Sequence, residues 1–113
     1  MSDFLTMREA GERLGIPTQR IKQLWADDEL LRVDVDGKPM VPALCLEEVG
    51  GQWMPLESVR GTVTMLRDAG FSTEEATRWM LEANDDLDGA VPLECLASHR
   101  VKDVRNAVMF LAF

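Results

Sequence analysis

The stretch "RLGIPTQRIKQLW", residues 13–25, joins two helical patterns across a single glycine. Ahead of it, "TMRE" at 6–9 has the form of a capping box, in which a Thr oxygen and a Glu carboxylate each bind a backbone amide at a helix start. Apolar residues then recur at helical spacing until Gly15, which is typical of a helix stop. The sequence therefore predicts a first helix that ends before Gly15 and a second helix over 18–27.

The segment after the second helix has the pattern of two paired strands. Residues 31–35 alternate apolar and polar side chains, "DGK" at 36–38 is a tight-turn signal, and a short return strand reaches Val41. Pro39 and Pro42 predict that this return strand lies at a sheet edge, because proline cannot donate to a strand ladder. Two helices followed by a small hairpin, here 31–41, form a winged helix-turn-helix.

The second half of the chain has helical periodicity. Residues 43–55 fit no clear element, and "VGGQWMP" at 49–55 is interpreted as a loop that holds Trp53 against the body. Helices are expected over about 56–68, from the capping box "STEE" at 72–75 onward, over 93–97, and from about Arg100 to the end. The predicted fold class is mainly α with a small β-hairpin wing. A winged helix-turn-helix over 1–50 is followed by a C-terminal helical lobe over 51–113 that packs on it.

Composition limits the classes of protein to which this chain can belong. With 113 residues, 46% of them hydrophobic, it can bury a core as one domain or as two small lobes. No apolar run approaches the roughly 20 residues of a membrane span, and the first residues lack the features of a signal peptide. We therefore expect a cytoplasmic protein with no membrane partner, associated with the nucleoid if DNA is its target.

Catalytic and metal-binding motifs are not recognised in the sequence. There is no Gly-rich phosphate loop, nucleophile elbow or HExxH motif, and the aspartates at 85–88 lack the spacing of a calcium loop. Cys45 and Cys95 are far apart, and His99 is the sole histidine, so a zinc site has no ligand set. We expect no enzyme activity, no cofactor and no metal.

The charges are segregated along the chain. The formal net charge is -8, which argues against a general electrostatic grip on DNA, yet no acidic residue occurs from Arg13 to Ala26. An exposed Arg can pair with guanine and a Gln with adenine in the major groove, while basic residues of the wing can contact phosphates. Double-stranded DNA is therefore the expected partner, and the predicted contacts are Thr18, Gln19, Arg20, Lys22, Gln23, Arg13, Arg32 and Lys38.

Three questions stay open at this level. The helix-turn-helix face can be merely solvated, and the chain can be a protein-interaction module whose acidic surface binds a basic protein. The last helix carries an apolar stripe that either packs in the core or forms a homodimer or partner surface. The residues of that stripe are Val101, Val104, Val108, Leu111 and Phe113.

Three resemblances add to these inferences. "TMREAGERLGIPTQRIKQLWADDELL" at 6–31 resembles the helix-turn-helix opening of MerR-like and excisionase-like proteins, in which a Leu-Gly-Ile turn precedes a helix that ends in an aromatic residue. The whole chain, including "TMLRDAGFSTEEATRWMLEANDDL" at 64–87, resembles an actinobacterial family of small winged-helix DNA-binding proteins, one of them a kinase substrate. That resemblance implies DNA binding in transcription regulation or at the nucleoid. Residues 79–96 are similar to the partner-binding segment of Xre/ParS-type antitoxins, which implies a protein partner.

Overall fold

The computed structural model describes residues 3–111 and contains two compact units. The first unit ends at Glu57 and the second begins at Ser58. The sequence places the division between residues 50 and 51, which is the turn of a hairpin that belongs to the first unit.

The first unit contains two helices and five strands over the part of it that is described. In chain order these elements are β1 Phe4–Thr6, α1 Met7–Leu14, α2 Thr18–Ala26, β2 Val33–Val35, β3 Lys38–Pro42, β4 Leu46–Val49 and β5 Gln52–Pro55, with a 3-10 turn at Ala43–Cys45. The predicted helices are confirmed within one residue of the expected ends.

The strand β3 is the centre of a three-stranded antiparallel sheet of order β1-β3-β2, so the prediction that Pro39 and Pro42 confine it to an edge is wrong. Pro39 lies opposite Asp34 of β2, and Pro42 lies opposite Phe4 of β1. Each proline is thus paired on one side only, while Met40 between them is paired on both sides. The sheet tolerates proline because its two outer strands overlap along β3 at a single residue.

A second hairpin, β4–β5, replaces the loop expected over 49–55. Gly50 and Gly51 have φ of 59° and 82°, which is the backbone of a two-residue type I′ turn. The register places Glu48 opposite Trp53. The Gly-Gly pair was the available sequence signal for this hairpin.

The turn between α1 and α2 is built from backbone hydrogen bonds. Gly15 has φ of 70° in the left-handed region, and its N–H donates to the carbonyl of Glu12 at 3.3 Å. The N–H of Ile16 donates to the carbonyl of Gly11 at 3.0 Å, which completes a Schellman motif. Both bonds satisfy carbonyls at the end of α1 and reverse the chain into α2.

The core of the first unit lies between the two helices and the sheet. Ala10, Ile21 and Val41 are fully buried, one on each of α1, α2 and β3. Burying a side chain the size of Ile21 contributes on the order of 1.5–3 kcal/mol. Cys45 is also buried, and its desolvation raises the pKa of the thiol to about 12.

The second unit is helical. Its helices are α3 Glu57–Asp68, α4 Thr73–Leu81, α5 Pro92–Ala97 and α6 Val101–Leu111, with a 3-10 turn at Asp85–Leu87. The predicted capping box at the start of α4 is confirmed: the Ser72 side chain accepts from the Glu75 N–H, and the Glu75 carboxylate accepts from the Ser72 N–H. Asn84 caps the 3-10 turn, since its side chain accepts from the Asp86 N–H at 2.8 Å. The fold is thus mainly helical with a small sheet, as the sequence predicts.

The apolar stripe of α6 faces the interior of its own unit. Val104 and Val108 are 0% and 2% exposed, so they cannot form the homodimer or partner surface that the sequence left open for them. Val101 is half-buried and Leu111 is exposed, while Phe113 lies outside the described residues. Core packing therefore explains the middle of the stripe, and a homodimer would have to use other residues.

Within residues 3–111, no helix is both long enough and apolar enough to cross a lipid bilayer.

Candidate nucleic-acid interface

The helix α2 separates its apolar and polar residues cleanly. Ile21 and Leu24, at 0% and 7% exposure, hold it on the first unit's core. The structure brings the five predicted contacts of this helix to the outside, where all are exposed: Thr18, Gln19, Arg20, Lys22 and Gln23.

The start of α2 differs from the starts of α1 and α4. In those two helices the side chains of Thr6 and Ser72 accept from the third backbone amide. The residue before α2 is Pro17, which provides no side-chain cap, and the first turn contains no acidic residue. The Arg20 N–H donates to the Pro17 carbonyl at 2.9 Å, so the amides of Thr18 and Gln19 keep the partial positive charge of a helix N-terminus, which favours an anionic partner such as phosphate.

The cations of α2 are not neutralised by neighbouring carboxylates. Within the described part of the chain, neither Arg20 nor Lys22 forms an ion pair, whereas Arg8 on α1 pairs with Glu12 at 3.2 Å. An approaching polyanion would thus meet two free positive charges on this helix without first having to break an ion pair.

Gln23 is partly committed within the protein. Its side-chain amide nitrogen lies 3.2 Å from each carboxylate oxygen of Asp27, one turn further along. This hydrogen bond competes with the predicted contact of Gln23 to a base edge. The Asp27 carboxylate also adds a negative charge at the C-terminal end of α2.

The wing carries both signs of charge. The Nε of Arg32 lies 3.3 Å from an Asp34 oxygen, and its guanidinium lies 5.5 Å from the ring centre of Trp25. Lys38 is exposed beside the turn, but Asp36 occupies the turn itself. The two predicted wing cations are therefore accompanied by two acids, which weakens the attraction of this hairpin for phosphates relative to α2.

Arg13 has an aromatic partner that the sequence did not reveal. Its guanidinium carbon lies 4.9 Å from the ring centre of Trp53, which is on β5. The sequence places these residues 40 positions apart and interprets the segment of Trp53 as a loop. Only the pairing of β4 with β5 and the packing of that hairpin on α1 bring the two side chains together.

The comparisons with known proteins agree with this architecture. Residues 2–46 match the family described as the wHTH domain of DNA-binding protein Rv2175c, and residues 56–111 match the Rv2175c C-terminal domain of unknown function. The narrower likenesses to MerR-like proteins and to antitoxins stay expectations from sequence.

One curated relative and one solved structure resemble the chain along most of its length. The DNA-binding protein Rv2175c of Mycobacterium tuberculosis (strain H37Rv) is 23% identical over 113 aligned residues, which cover 90% of this chain and 75% of the relative. The NMR structure of Rv2175c superposes with a TM-score of 0.76 at 24% identity, covering 95% of this chain and 80% of that one. The chain therefore belongs to the Rv2175c family, with that family's winged helix-turn-helix domain over 2–46 and its C-terminal domain over 56–111.

Proposed function

We propose that this chain binds double-stranded DNA with sequence selectivity and acts as a small transcriptional regulator. In this proposal α2 enters the major groove and the β2–β3 hairpin lies against the sugar-phosphate backbone. The observation that carries the proposal is the outer face of α2, where Arg20 and Lys22 form no ion pair within residues 3–111 and lie beside a helix start without a side-chain cap. The name of the matched family supports the same partner.

Selectivity is expected from the first turns of α2. A recognition helix presents its N-terminal residues to base edges, which here are Thr18, Gln19 and Arg20. Arg binds guanine through two hydrogen bonds and Gln binds adenine in the same way, and each such pair discriminates against a wrong base by roughly 1–3 kcal/mol. Gln23 contributes less, because Asp27 already engages its amide.

The net charge of -8 shapes how the protein would hold DNA. Each neutralised phosphate adds about 0.9 to the salt dependence of the binding constant, and the wing cations are balanced by acids. Because the first unit has few free cations, its nonspecific affinity for DNA should be weak, and the binding constant should fall only slowly with salt concentration. Discrimination between sequences has to come from base contacts on α2.

The test is the double variant Arg20→Ala/Lys22→Ala, with Lys102→Ala/Arg105→Ala as the matched control. Both variants remove two exposed positive charges, the first from α2 and the second from α6. The duplex is taken from genomic fragments that the purified protein captures, and its affinity for each variant is measured by fluorescence anisotropy. We expect the α2 variant to lose at least about tenfold in affinity and the α6 variant to bind as the original chain does.

Two results would contradict the proposal. One is equal loss of affinity in both variants, which would mean that net charge alone governs binding. The other is no DNA enrichment together with a stoichiometric basic protein in native purifications, which would favour the interaction module.

A further inference from the structure

The Arg13–Trp53 pair joins the helix-turn-helix to a hairpin outside the matched wHTH segment. Arg13 occupies the last turn of α1, two residues before the Gly15 turn, and Trp53 lies on β5 beyond residue 46. We propose that Trp53 is a positioning residue that holds the guanidinium of Arg13 ready for a backbone phosphate of DNA. The β4–β5 hairpin is then a working part of the interface, an inference that rests on the function proposed above.

The geometry suits a phosphate contact. At 4.9 Å from the ring centre, the guanidinium is attracted to the indole face by a cation–π interaction. The guanidinium is planar, and its N–H donors point outward in the plane of the group. That planar fork matches the paired oxygens of a phosphate, and Arg13 is solvent-exposed.

The charge of Arg13 is available. Arg8 and Arg32 are ion-paired with Glu12 and Asp34, whereas Arg13 has no ion pair within residues 3–111. Among the arginines of the first unit, Arg13 thus combines an aromatic contact with the absence of an ion pair within the described residues.

Two acids lie near this pair, and neither forms an ion pair with Arg13, although its positive charge contributes to lowering the pKa of Glu9. Glu9 precedes Arg13 by one helical turn, but its carboxylate accepts from the Thr6 N–H at 2.9 Å as part of the capping box. Glu48 lies opposite Trp53 in the hairpin register and forms no ion pair with Arg13.

The benefit of the indole is pre-ordering. A free arginine loses rotamer freedom when it binds, whereas one held over an indole ring has lost much of it beforehand. Trp53 is half-buried on the hairpin face that also carries the buried Leu46, so its own position is fixed by packing. Removing the aromatic face should weaken DNA binding roughly threefold to tenfold, which is the range expected for ordering one long side chain.

The experiment compares Trp53→Phe with Trp53→Leu in the full chain. Both replacements keep an apolar side chain on the hairpin, but only phenylalanine keeps a π face for Arg13. Affinity for a fluorescein-labelled duplex of random sequence is measured across a salt series, and thermal unfolding is measured in parallel. Met54→Ala is the control, because Met54 is exposed on the same strand and its side chain points to the opposite face.

A positioning role has a distinctive set of results. Trp53→Phe should bind within about twofold of the original chain, and Trp53→Leu should lose roughly threefold to tenfold with a similar melting temperature. Arg13→Ala should reduce the salt slope by about 0.9, as expected for one lost phosphate contact. The double variant Arg13→Ala/Trp53→Leu should bind no more weakly than Arg13→Ala.

Contrary results fall into two groups. If the original chain binds duplex and Arg20→Ala/Lys22→Ala weakens binding at least about tenfold, but Trp53→Leu binds normally, the positioning role is wrong and the proposed function stands. Additive losses from Arg13→Ala and Trp53→Leu would also refute the role, since they would make Trp53 independent of Arg13. If the original chain binds no duplex, both proposals fail together.

Discussion

Gly11 of α1 lies so close to Ile16 that a Cβ added to Gly11 would come within 3.0 Å of the Ile16 carbonyl oxygen. The same Cβ would lie 3.5 Å from the backbone nitrogen of Thr18, the first residue of α2. The angle between the two helices is thus set by a glycine inside the first helix as well as by Gly15 in the turn. The orientation of the proposed recognition helix depends on this contact, because the turn leads directly into it.

Gly11→Ala should destabilise the first unit. Alanine normally stabilises a helix interior by up to about 1 kcal/mol over glycine, but here the methyl group displaces the carbonyl oxygen of Ile16, a residue whose N–H is held by the Gly11 carbonyl. Overpacking of this kind costs roughly 1–3 kcal/mol, so a net loss is expected. Urea unfolding measures it, and DNA affinity should fall in parallel.

The control for that substitution is Gly61→Ala in α3. Gly61 is exposed, and nothing lies within 4 Å of an added Cβ. The change should therefore stabilise the chain by about 0.5–1 kcal/mol, as expected for glycine in a helix interior. If Gly11→Ala is as stabilising as Gly61→Ala, the close approach of the turn is not tight in solution.

The two capping boxes predict a pH dependence. The pKa values of Glu9 and Glu75 lie below their ordinary 4.5, first because each carboxylate accepts from the backbone N–H of its own cap, Thr6 or Ser72, and second because of the cap hydroxyl. A lowered pKa in the folded state means that these contacts stabilise the fold above pH 4.5 and are lost as the pH falls through the folded values. Carboxyl chemical shifts followed by NMR in an acid titration should give both pKa values below 4.5. Thr6→Ala should raise only that of Glu9.

The thiol of Cys45 predicts the opposite pH dependence. Burial raises its pKa from 9.0 to about 12, so the folded state binds this proton more tightly than the unfolded chain does. Its contribution to stability is complete below pH 9.0 and is lost as the pH rises toward 12. Near neutral pH the buried thiol should react with a thiol reagent only when denaturant is added. Rapid labelling of Cys45 in the native protein, identified by mass spectrometry, would contradict the burial.

Sequence periodicity predicted the helices well because each carries its own start and stop signals. The box at 6–9 and the turn at Gly15 fix α1 locally, and the structure keeps both. The strand β1 was not predicted, because its three residues, Phe4–Thr6, are too few to show an alternation of apolar and polar side chains. With β1 not predicted, only one partner strand was expected for β3, and its two prolines were interpreted as marks of a sheet edge.

At the candidate site, too, the sequence predicted some features and missed others. Exposure of the α2 residues follows from helical spacing, since Ile21 and Leu24 mark the buried side. The hydrogen bond of Gln23 to Asp27 and the cation–π contact of Arg13 with Trp53 are side-chain contacts that neither composition nor charge segregation predicts. The second of these depends on strand pairing far along the chain, so it requires the folded structure.

Asp27 should limit the affinity of α2 for DNA in two ways. Its carboxylate repels phosphates at the end of the helix and holds the amide of Gln23, at 3.2 Å to each oxygen. Asp27→Ala removes both effects, and Asp27→Asn removes the charge while keeping an acceptor for Gln23. Affinity for random duplex should rise roughly twofold to tenfold in both, since one exposed charge near phosphate is worth about 1 kcal/mol. Asp68→Asn, an exposed site in the second unit, controls for net charge. Only the alanine variant frees Gln23, so it alone should also change which genomic fragments are enriched. Identical fragment sets for the two variants would show that Gln23 contacts no base.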